Sequence, residues 1–531
     1  MKSSDSLRFG AFIVAAAMGL LATMTTASGQ LVDRTQAPNA INEGIAKSLT
    51  EQAGAGRGDV LTPNSSAYII ARDPFRSVRR GRQLFQRKFT TGQGLGPRTD
   101  DGFGDIGTVG AIGAGIADSC AACHGRPRGA AGFGGDVVTR PDSRDAPHLF
   151  GLGLKEMLAD EITADLRGIL ASAKAAAAAR HRTIARPLRS KGISYGLIIV
   201  QADGSVDTSH VEGVNTDLRV RPFFAHGNTI SIREFIIGAL NDEMGLQAVD
   251  PDLASAAAGG RFVTPSGLVL DGSLDVLEKP HVTSATDDAD HDGKTNEIPN
   301  AIVDHLEFYL LNYFKPGTYE QDRSVDYGRR AFERIGCTKC HIPDLTIEHD
   351  RRVADVDTVF DPARGFFNGL FATATPLFTE TNDGSGHPTL KQPNGGSFVV
   401  KNIFTDFKRH DLGKNFHERN YNGTVLTQFL TTALWGVGST APYGHDGRSI
   451  NLNEVILRHG GEALDSAVAY DRLGKAGQAR ILEFLSSLVI FPPDDTASNL
   501  NPGDPNDPYF PQSGHGSIRL PVLFNDPNDP E

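Results

Sequence analysis

The spacing of hydrophobic and polar residues predicts a mainly helical protein. Apolar residues recur at three- and four-residue intervals in 231–245, 303–314, 452–459 and 476–491, which is the period of a helix with one buried face. The segment 161–189 is rich in Ala with Arg and Lys, a composition that favours a further helix. Helices are therefore expected to form most of the body of the fold.

In one segment, apolar and polar residues alternate with the two-residue period of β-strands. Residues 193–213 read ISYGLIIVQADGSVDTSHVEG, with Asp203 and Gly204 between two alternating runs. An Asp-Gly pair in that position is a strong signal for a hairpin turn. The 59 glycines and 29 prolines predict long irregular connections. The predicted fold is thus mainly α, with a minor β component and long loops.

Two short helical patterns resemble each other. GRQLFQRKF (81–89) and GRRAFERIG (328–336) both predict an amphipathic helix, with Phe85 and Phe332 at matching positions. Duplication of a small helical unit explains the repeat, with extra residues inserted after the first helix. A chance match is the alternative.

All four cysteines of the chain lie in two CxxCH pentapeptides, one after each of these helices. The residues are Cys120, Cys123 and His124 in the first, and Cys337, Cys340 and His341 in the second. Two thiols and an adjacent imidazole at this spacing are the attachment pattern of c-type haem, in which the imidazole ligates the iron. Disulfides and zinc sites are the alternatives, but so short a bridge is strained and zinc needs further ligands nearby. The sequence therefore predicts two covalently bound haem c groups.

The first residues predict export. Lys2 and Arg8 precede a short apolar run that ends in small residues, the pattern of a signal peptide cut between Ala27 and Gln30. The run is shorter than the about 20 residues that a membrane span needs, so no stable membrane anchor is expected. An uncleaved anchor is the alternative. The expected location is periplasmic or secreted.

Composition and charge narrow the class of partner. With 39% hydrophobic and 22% charged residues, the chain has the composition of an ordinary globular protein. A net charge of −12 disfavours nucleic acid and anionic membrane surfaces. Small molecules and small redox proteins remain as expected partners.

An acidic loop predicts a calcium site. DDADHDGKTNE places Asp288, Asp290 and Asp292 two residues apart before a glycine, as at the start of an EF-hand loop. Pro299 stands where a closing glutamate is expected, and Glu297 is the nearest substitute. A solvated acidic turn is the alternative.

Several longer motifs resemble the bacterial di-haem cytochrome c peroxidase superfamily, in its di-haem oxidoreductase ("thiol oxidoreductase") branch. The motifs are APHLFGLGL (146–154), RVRPFFAHGNTISIREFIIGALNDEMG (219–245), NIFTDFKRHDLGKNF (402–416), LWGVGSTAPYGHDGRSINLNEVILRHGGEA (434–463) and EFLSSL (483–488). The resemblance implies two cytochrome-c-like haem lobes. The predicted organisation is 1–29 signal peptide, 30–75 N-terminal arm, 76–280 first haem c domain, 281–322 linker with the acidic loop and a helix, 323–495 second haem c domain, and 496–531 Pro/Asp/Asn-rich tail.

The resemblance implies a ligand pair for the second haem. In peroxidases of this superfamily a methionine fourteen positions after the HDG histidine ligates that haem, and the same count from His445 reaches His459. Ligation by His341 and His459 is therefore expected, with a lower potential than a His/Met pair has. A helix-capping role for His459, or ligation by His410 instead, is the alternative.

The first haem departs from the family pattern. The loop 125–143, which supplies a removable histidine in the peroxidases, contains no His, Met or Lys. The first iron is therefore expected to be open or water-bound, with His148 and His226 as rival ligands. The family's catalytic acid matches Glu243 in GALNDEMG, which is expected to move protons during peroxide cleavage; an exposed acid is the alternative.

The family's tryptophan between the haems is also missing, because FFAHGN carries Phe223 and Phe224 in its place. Trp435, the only tryptophan, is expected in the core, and electron transfer is its alternative role.

The expected function is that of an exported di-haem oxidoreductase. Hydrogen peroxide would be reduced at the first haem, while the second relays electrons from a small redox protein. A di-haem oxygenase that uses dioxygen on an apolar substrate and a plain electron-transfer cytochrome are the alternatives.

Overall fold

The computed structural model describes residues 47–96, 117–125, 136–137, 144–313, 323–360, 370–419, 423–489 and 517–518. The predicted signal peptide, nearly all of the predicted tail and most of the loop after the first CxxCH motif lie outside these residues.

Helices dominate the described part of the chain. In chain order they are α1 Leu49–Ala53, α2 Ser66–Arg72, α3 Pro74–Gln86, α4 Cys120–His124, α5 Leu152–Arg180, α6 Ile232–Met244, α7 Pro251–Ala257, α8 Asn300–Asn312, α9 Arg323–Arg334, α10 Leu452–Arg458, α11 Leu464–Asp471 and α12 Gly474–Ser486. The helices predicted from hydrophobic spacing are all present, so the mainly α prediction is confirmed. Among the described helices, none is long and apolar enough to cross a membrane.

The β component consists of small sheets of two or three strands. The strands are β1 Asp136–Val137, β2 Arg144–Asp145, β3 Ile184–Ser190, β4 Ile193–Val200, β5 Val206–Asp207, β6 Arg261–Val263, β7 Val269–Asp271, β8 Leu345–Ile347, β9 Ala354–Phe360, β10 Leu370–Pro376, β11 Phe378–Thr381, β12 Leu390–Pro393, β13 Phe398–Val400, β14 Arg409–Asp411, β15 Glu418–Arg419, β16 Val425–Leu426, β17 Gln428–Leu430 and β18 Ser517–Ile518. Strand β10 pairs with β9 antiparallel and with β18 parallel. The remaining sheets are antiparallel.

The predicted hairpin is confirmed. Strands β4 and β5 pair antiparallel, with Val200 opposite Val206. The turn between them is closed by a hydrogen bond from the Gln201 amide to the Ser205 carbonyl, at 2.9 Å. Gly204 has a φ of 87°, a conformation that glycine adopts without a steric penalty.

The helix predicted over 161–189 is wrong at its C-terminal end. Helix α5 ends at Arg180, where His181 adopts a left-handed conformation with a φ of 47°. Residues from Ile184 onward form β3 instead, because pairing with β4 buries Ile184 against small side chains of α5, Ala173 and Ala177. Tertiary packing therefore overrides the helical composition of this segment.

The two copies of the GRxxF repeat pack alike. Helix α3 lies along α8, and a Cβ at Gly81 would stand 2.3 Å from the His305 carbonyl oxygen. Helix α9 lies along α12, and a Cβ at Gly328 would stand 2.0 Å from the Arg480 carbonyl oxygen. Each glycine allows two helix backbones to touch, so both copies of the repeat have the same packing role, and their origin by duplication stays a prediction.

The phenylalanines of the two copies complete these helix contacts. Phe85 packs edge-on against Tyr309 of α8, with ring centroids 5.9 Å apart. Phe332 packs against Phe484 of α12 at 5.6 Å. Both helix pairs therefore use the same glycine and aromatic positions to bind the neighbouring helix.

A large hydrophobic core joins distant parts of the chain. It contains Met157 and Leu158 of α5 together with Leu345, Phe407 and Trp435. Trp435 is 4% exposed, which agrees with the expected core position. The predicted domain boundaries stay a prediction.

A buried ion network links the helices α6, α7 and α8. The Arg233 guanidinium is fully buried and binds the carboxylates of Asp250, Asp304 and Glu307, with the last two at 2.9 and 2.8 Å. Arg57, from the predicted N-terminal arm, donates to Asp304 as well, at 2.8 Å. The network therefore ties that arm to α6, α7 and α8.

Replacing Arg233 with methionine should destabilise the fold strongly. The change removes the cation that three buried carboxylates share, and of these only Asp304 keeps a guanidinium partner, that of Arg57. Such a loss typically costs about 3–5 kcal/mol. The free energy of unfolding, measured by urea titration, checks this value.

The matched control is Arg330→Met, because Arg330 pairs with Asp326 on the exposed side of α9, at 2.8 Å. An exposed pair of this kind contributes less than about 1 kcal/mol. Equal losses in the two variants would contradict a stabilising role for the buried network.

Candidate haem sites

The first CxxCH motif forms a single helical turn, α4. The Phe89 amide donates to the Asp118 carbonyl at 2.8 Å, which fixes the start of the motif beside the end of α3. A Cβ at Gly125 would lie 2.2 Å from the Ala121 carbonyl oxygen, so the residue after the motif must be glycine for the turn to close. Among the described residues, all four cysteines are free thiols and none forms a disulfide.

The His124 side chain has the form that a haem ligand requires. Its Nδ1 donates to the Pro147 carbonyl at 2.7 Å. Because a carbonyl only accepts, Nδ1 carries the proton and Nε2 keeps its lone pair for a metal. Burial lowers the pKa of His124 to about 4, which keeps the imidazole neutral.

The His341 side chain repeats this arrangement in the second motif. Its Nδ1 donates to the Phe404 carbonyl at 3.0 Å. Its pKa is also lowered to about 4, mainly by burial. Both CxxCH motifs therefore present a neutral imidazole with a free Nε2, and the residues fit haem c at both places.

His459 offers a second imidazole near His341. It follows the last residue of α10, and its Nδ1 donates to the Val455 carbonyl at 2.6 Å, again leaving Nε2 free. Burial lowers the pKa of His459, and its charge would lower the pKa of His341, so the two rings are neighbours. His459 is also the C-cap residue of α10, and its bond to the Val455 carbonyl caps the last turn, so the capping role is present and leaves Nε2 free.

His410, the rival ligand, has both ring nitrogens engaged. Its Nε2 binds the Asp406 carboxylate at 2.9 Å and its Nδ1 binds that of Glu462 at 2.7 Å. Burial opposes a charge here, but hydrogen bonds to Asp406, Cys340 and Glu462 raise the pKa of His410 to about 11. A doubly bonded imidazolium has no lone pair for iron, so the geometry favours His459.

The HGGEA motif explains how Glu462 reaches His410. Gly461 has a φ of 49°, and a Cβ on it would lie 2.1 Å from the Asp411 carbonyl oxygen. Only glycine permits this close approach to β14. The motif therefore places His459 and Glu462 on one tight loop, with His459 near His341 and Glu462 bonded to His410.

Of the two rival ligands of the first iron, His226 is engaged at both ring nitrogens and His148 at Nε2. His148 directly follows Pro147, whose carbonyl accepts from the His124 Nδ1. Its Nε2 donates to the Trp435 carbonyl at 3.0 Å. His226 binds the Gln428 carbonyl and the Glu418 carboxylate, both at 3.0 Å.

Helix α6 carries Glu243 to the first motif. The helix begins where the Ser231 hydroxyl accepts from the Glu234 amide at 3.0 Å, and it ends at Gly245 in a left-handed conformation. Glu243, in its last turn, is half-buried. The pKa of the Cys123 thiol is raised by burial and, secondly, by the charge of Glu243, so the two side chains are neighbours.

A comparison with protein families gave a match that begins shortly after the second CxxCH motif. Residues 349–488 match the family described as "Di-haem oxidoreductase, putative peroxidase". The resemblance to the di-haem oxidoreductases is confirmed. The di-haem oxidoreductase segment includes His410, His459 and Glu462, and haem is the cofactor that the family name states.

A solved structure with a partial match is that of hydrazine synthase from Kuenenia stuttgartiensis, pressurized with 20 bar xenon. The identity is 14%, the TM-score is 0.21, and the match covers 35% of this chain and 55% of that chain. The comparison with curated proteins gave no match.

Two features near the di-haem oxidoreductase motifs have little signal in the sequence. Glu418 is buried and lies 3.0 Å from Nε2 of His226 and 3.6 Å from Nε2 of His445. Lys155 lies near His148, with its Nζ 5.8 Å from the Phe223 ring centroid, and burial lowers its pKa to about 8. HDG marks His445, but no motif indicates Glu418 or Lys155.

The acidic loop brings its three aspartates together. Carboxylate oxygens of Asp288, Asp290 and Asp292 lie within 4.8 Å of one another. Asp288 also accepts from the Gly293 amide at 3.0 Å. Glu297 is not part of this group, since it accepts from the Gln247 amide at 2.8 Å. Calcium at this loop stays a prediction.

Replacing His459 with alanine should open the second haem of the loaded protein. The loss of an axial imidazole changes a six-coordinate low-spin iron into one that binds carbon monoxide. His459→Met should keep the low-spin spectrum and raise the potential, because thioether ligation favours the reduced state. Absorption spectra and spectroelectrochemical titration check both changes.

His410→Gln is the control for the axial ligand, since glutamine keeps a polar side chain between Asp406 and Glu462. Its low-spin spectrum should match that of the parent protein. A high-spin second haem in this variant, with a normal spectrum in His459→Ala, would assign the ligand to His410 instead.

If calcium binds the acidic loop, it should raise the midpoint of thermal unfolding. A ligand that binds only the folded chain adds about 2.7 kcal/mol at one hundred times its dissociation constant. Asp290→Asn should abolish the shift, whereas Asp203→Asn in the exposed hairpin turn should retain it. A solvated acidic turn predicts the same midpoint in calcium and in a chelator.

Proposed function

We propose that this chain is an exported di-haem c-type peroxidase. The observation that carries the proposal is an asymmetry between two otherwise matching sites. Among the described residues, His124 and His341 both have Nδ1 bonded to a main-chain carbonyl. His341 has a second imidazole of this same form nearby, that of His459, whereas His148, near His124, is bonded to a carbonyl through Nε2 instead. One closed and one open iron is the combination that a di-haem peroxidase needs.

Haem held by the two CxxCH motifs would supply irons that exchange single electrons and, where a coordination position is open, bind a small oxidant. The neighbouring side chains suit such an open position. His148 and His226, the two described histidines proposed as rival ligands, are bonded to oxygen acceptors elsewhere. The first site therefore supports catalysis better than simple electron storage.

Glu243 would move the protons of the reaction. Reduction of hydrogen peroxide consumes two electrons and two protons and yields two molecules of water. A carboxylate beside the bound peroxide accepts the proton of the inner oxygen and delivers it to the outer one, which then leaves as water. The half-buried position of Glu243 next to Cys123 supports this role.

Two cytochrome-c-like lobes are part of the proposal. The α3–α8 pair leads to the first CxxCH motif and the α9–α12 pair to the second, and each pair is joined by a helix glycine and a phenylalanine. The same contact in both halves supports a duplicated haem-binding unit.

A dioxygen-using oxygenase is the second candidate. Phe223 and Phe224 both pack against Phe235, and Phe224 is 42% exposed. The Phe224 ring, supported by the buried Phe223, provides an apolar surface that an apolar substrate could contact. A plain electron-transfer cytochrome is the third candidate, and it requires a sixth protein ligand on both irons.

The remaining parts of the proposal concern location and partners. The apolar N-terminal run supports a periplasmic or secreted protein without a stable membrane anchor. The net charge of −12 favours a small redox protein as electron donor and disfavours nucleic acid. Calcium at the acidic loop would be an additional cofactor.

Glu243→Gln should slow peroxide reduction by a factor of about 10²–10⁴, the usual contribution of a positioned acid or base. Stopped-flow oxidation of a reduced small cytochrome by hydrogen peroxide measures this rate. The amount of covalent haem, measured as pyridine haemochrome, should equal that of the parent protein.

Asp242→Asn is the control, because Asp242 is the adjacent half-buried acid on α6 and bonds Asn241 at 3.0 Å. Its rate should stay near that of the parent. Oxygen uptake with an apolar substrate and no peroxide would favour the oxygenase. Failure of both oxidised and reduced protein to bind cyanide or carbon monoxide would leave only the electron carrier.

A further inference from the structure

We propose that electrons pass between the two haems along a hydrogen-bonded route through His148 and main-chain peptides, and not through the Trp435 indole. The inference rests on the proposed function, because it requires haem at both CxxCH motifs. It concerns how the two sites communicate in a chain that carries Phe223 and Phe224 at the place where a tryptophan is expected between them.

The route begins at the first proximal histidine. The His124 Nδ1 donates to the Pro147 carbonyl at 2.7 Å. This carbonyl belongs to the peptide bond between Pro147 and His148. Covalent bonds therefore lead from the acceptor of His124 directly into the His148 side chain.

His148 makes the crossing to the second half of the chain. Its Nε2 donates to the carbonyl of Trp435 at 3.0 Å. The pKa of His148 is lowered to about 3, first by burial and then by Lys155, so the ring stays neutral. The contact uses the peptide of Trp435, and the indole packs separately in the core beside Phe407.

The route then reaches the second proximal histidine. Along the chain from Trp435, the Leu434 amide donates to the Ile403 carbonyl at 3.0 Å. That carbonyl is in the peptide bond to Phe404, whose own carbonyl accepts from the His341 Nδ1 at 3.0 Å. The two proximal imidazoles are thus joined by four hydrogen bonds and the covalent bonds between them.

Electron transfer along this route needs no movement of atoms or protons. With haem held at both motifs, the single electron lost by the group at His341 would be the one gained by the group at His124, so the exchange balances. Each N–H donor keeps its proton throughout. The electron is replaced from outside by the small redox protein of the proposed function.

The experiment measures the rate at which one electron is shared between the haems. Pulse radiolysis injects a single electron into the oxidised holoprotein, and absorption at the bands of the two haems follows its redistribution. No peroxide or other substrate is present. The result therefore does not depend on which reaction the protein catalyses.

The His148→Leu variant removes the donor to Trp435 and should slow the redistribution severalfold. His148→Gln retains an N–H donor and should be faster than the leucine variant. Trp435→Phe keeps the main-chain carbonyl and should redistribute the electron at the parent rate. Spectroelectrochemical titration should give parent potentials in all three, which excludes a change in driving force.

An unchanged rate in His148→Leu, at unchanged potentials, would overturn the route. So would a rate in Trp435→Phe as slow as that in His148→Leu, because it would assign the path to the indole. If the His148→Leu protein does not assemble, the redistribution rate of Trp435→Phe alone decides whether the electron passes through the peptide or through the indole. A parent protein without two covalent haems refutes the proposed function itself, and the pyridine haemochrome detects that separately.

Discussion

The hydrogen bond from a histidine Nδ1 to a main-chain carbonyl is the interaction on which both candidate sites depend. It sets the tautomer of His124 and of His341, and it directs each lone pair to the position where a metal would bind. The acceptors come from remote parts of the chain, Pro147 in one case and Phe404 in the other. Each CxxCH turn is therefore oriented by a segment that must fold against it.

The two halves of the molecule share a helix contact and differ in what surrounds the histidines. Gly81 and Gly328 let two pairs of helices touch at backbone distance, which gives both CxxCH motifs the same support. Only the second half adds the HGGEA loop with His459 and Glu462. On the proposed function, similar scaffolds with different ligand sets would give one protein both a reactive and a storing iron.

Much of the site could be predicted from the sequence because its chemistry is local. The CxxCH spacing and the fourteen-residue interval from His445 of HDG to His459 of HGGEA each depend on a short stretch of sequence. The structure presents these histidines in a form suitable for ligation. Predictions failed where contacts between distant segments of the chain determine the local structure. Residues 184–189 are helical by composition but form β3, because pairing with β4 buries Ile184. Glu418 and Lys155 had no local signal, since their surroundings are assembled from distant segments.

The bonded pair of His410 and Glu462 has a consequence for His459, the proposed iron ligand beside it. Glu462 and His459 share one short loop, and Gly461 packs that loop against the Asp411 backbone with no room for a side chain. With haem bound as proposed, His459 would have little freedom to swing away when the oxidation state of the metal changes. A ligand held this rigidly would give a small reorganisation energy, which favours rapid electron exchange at the second site.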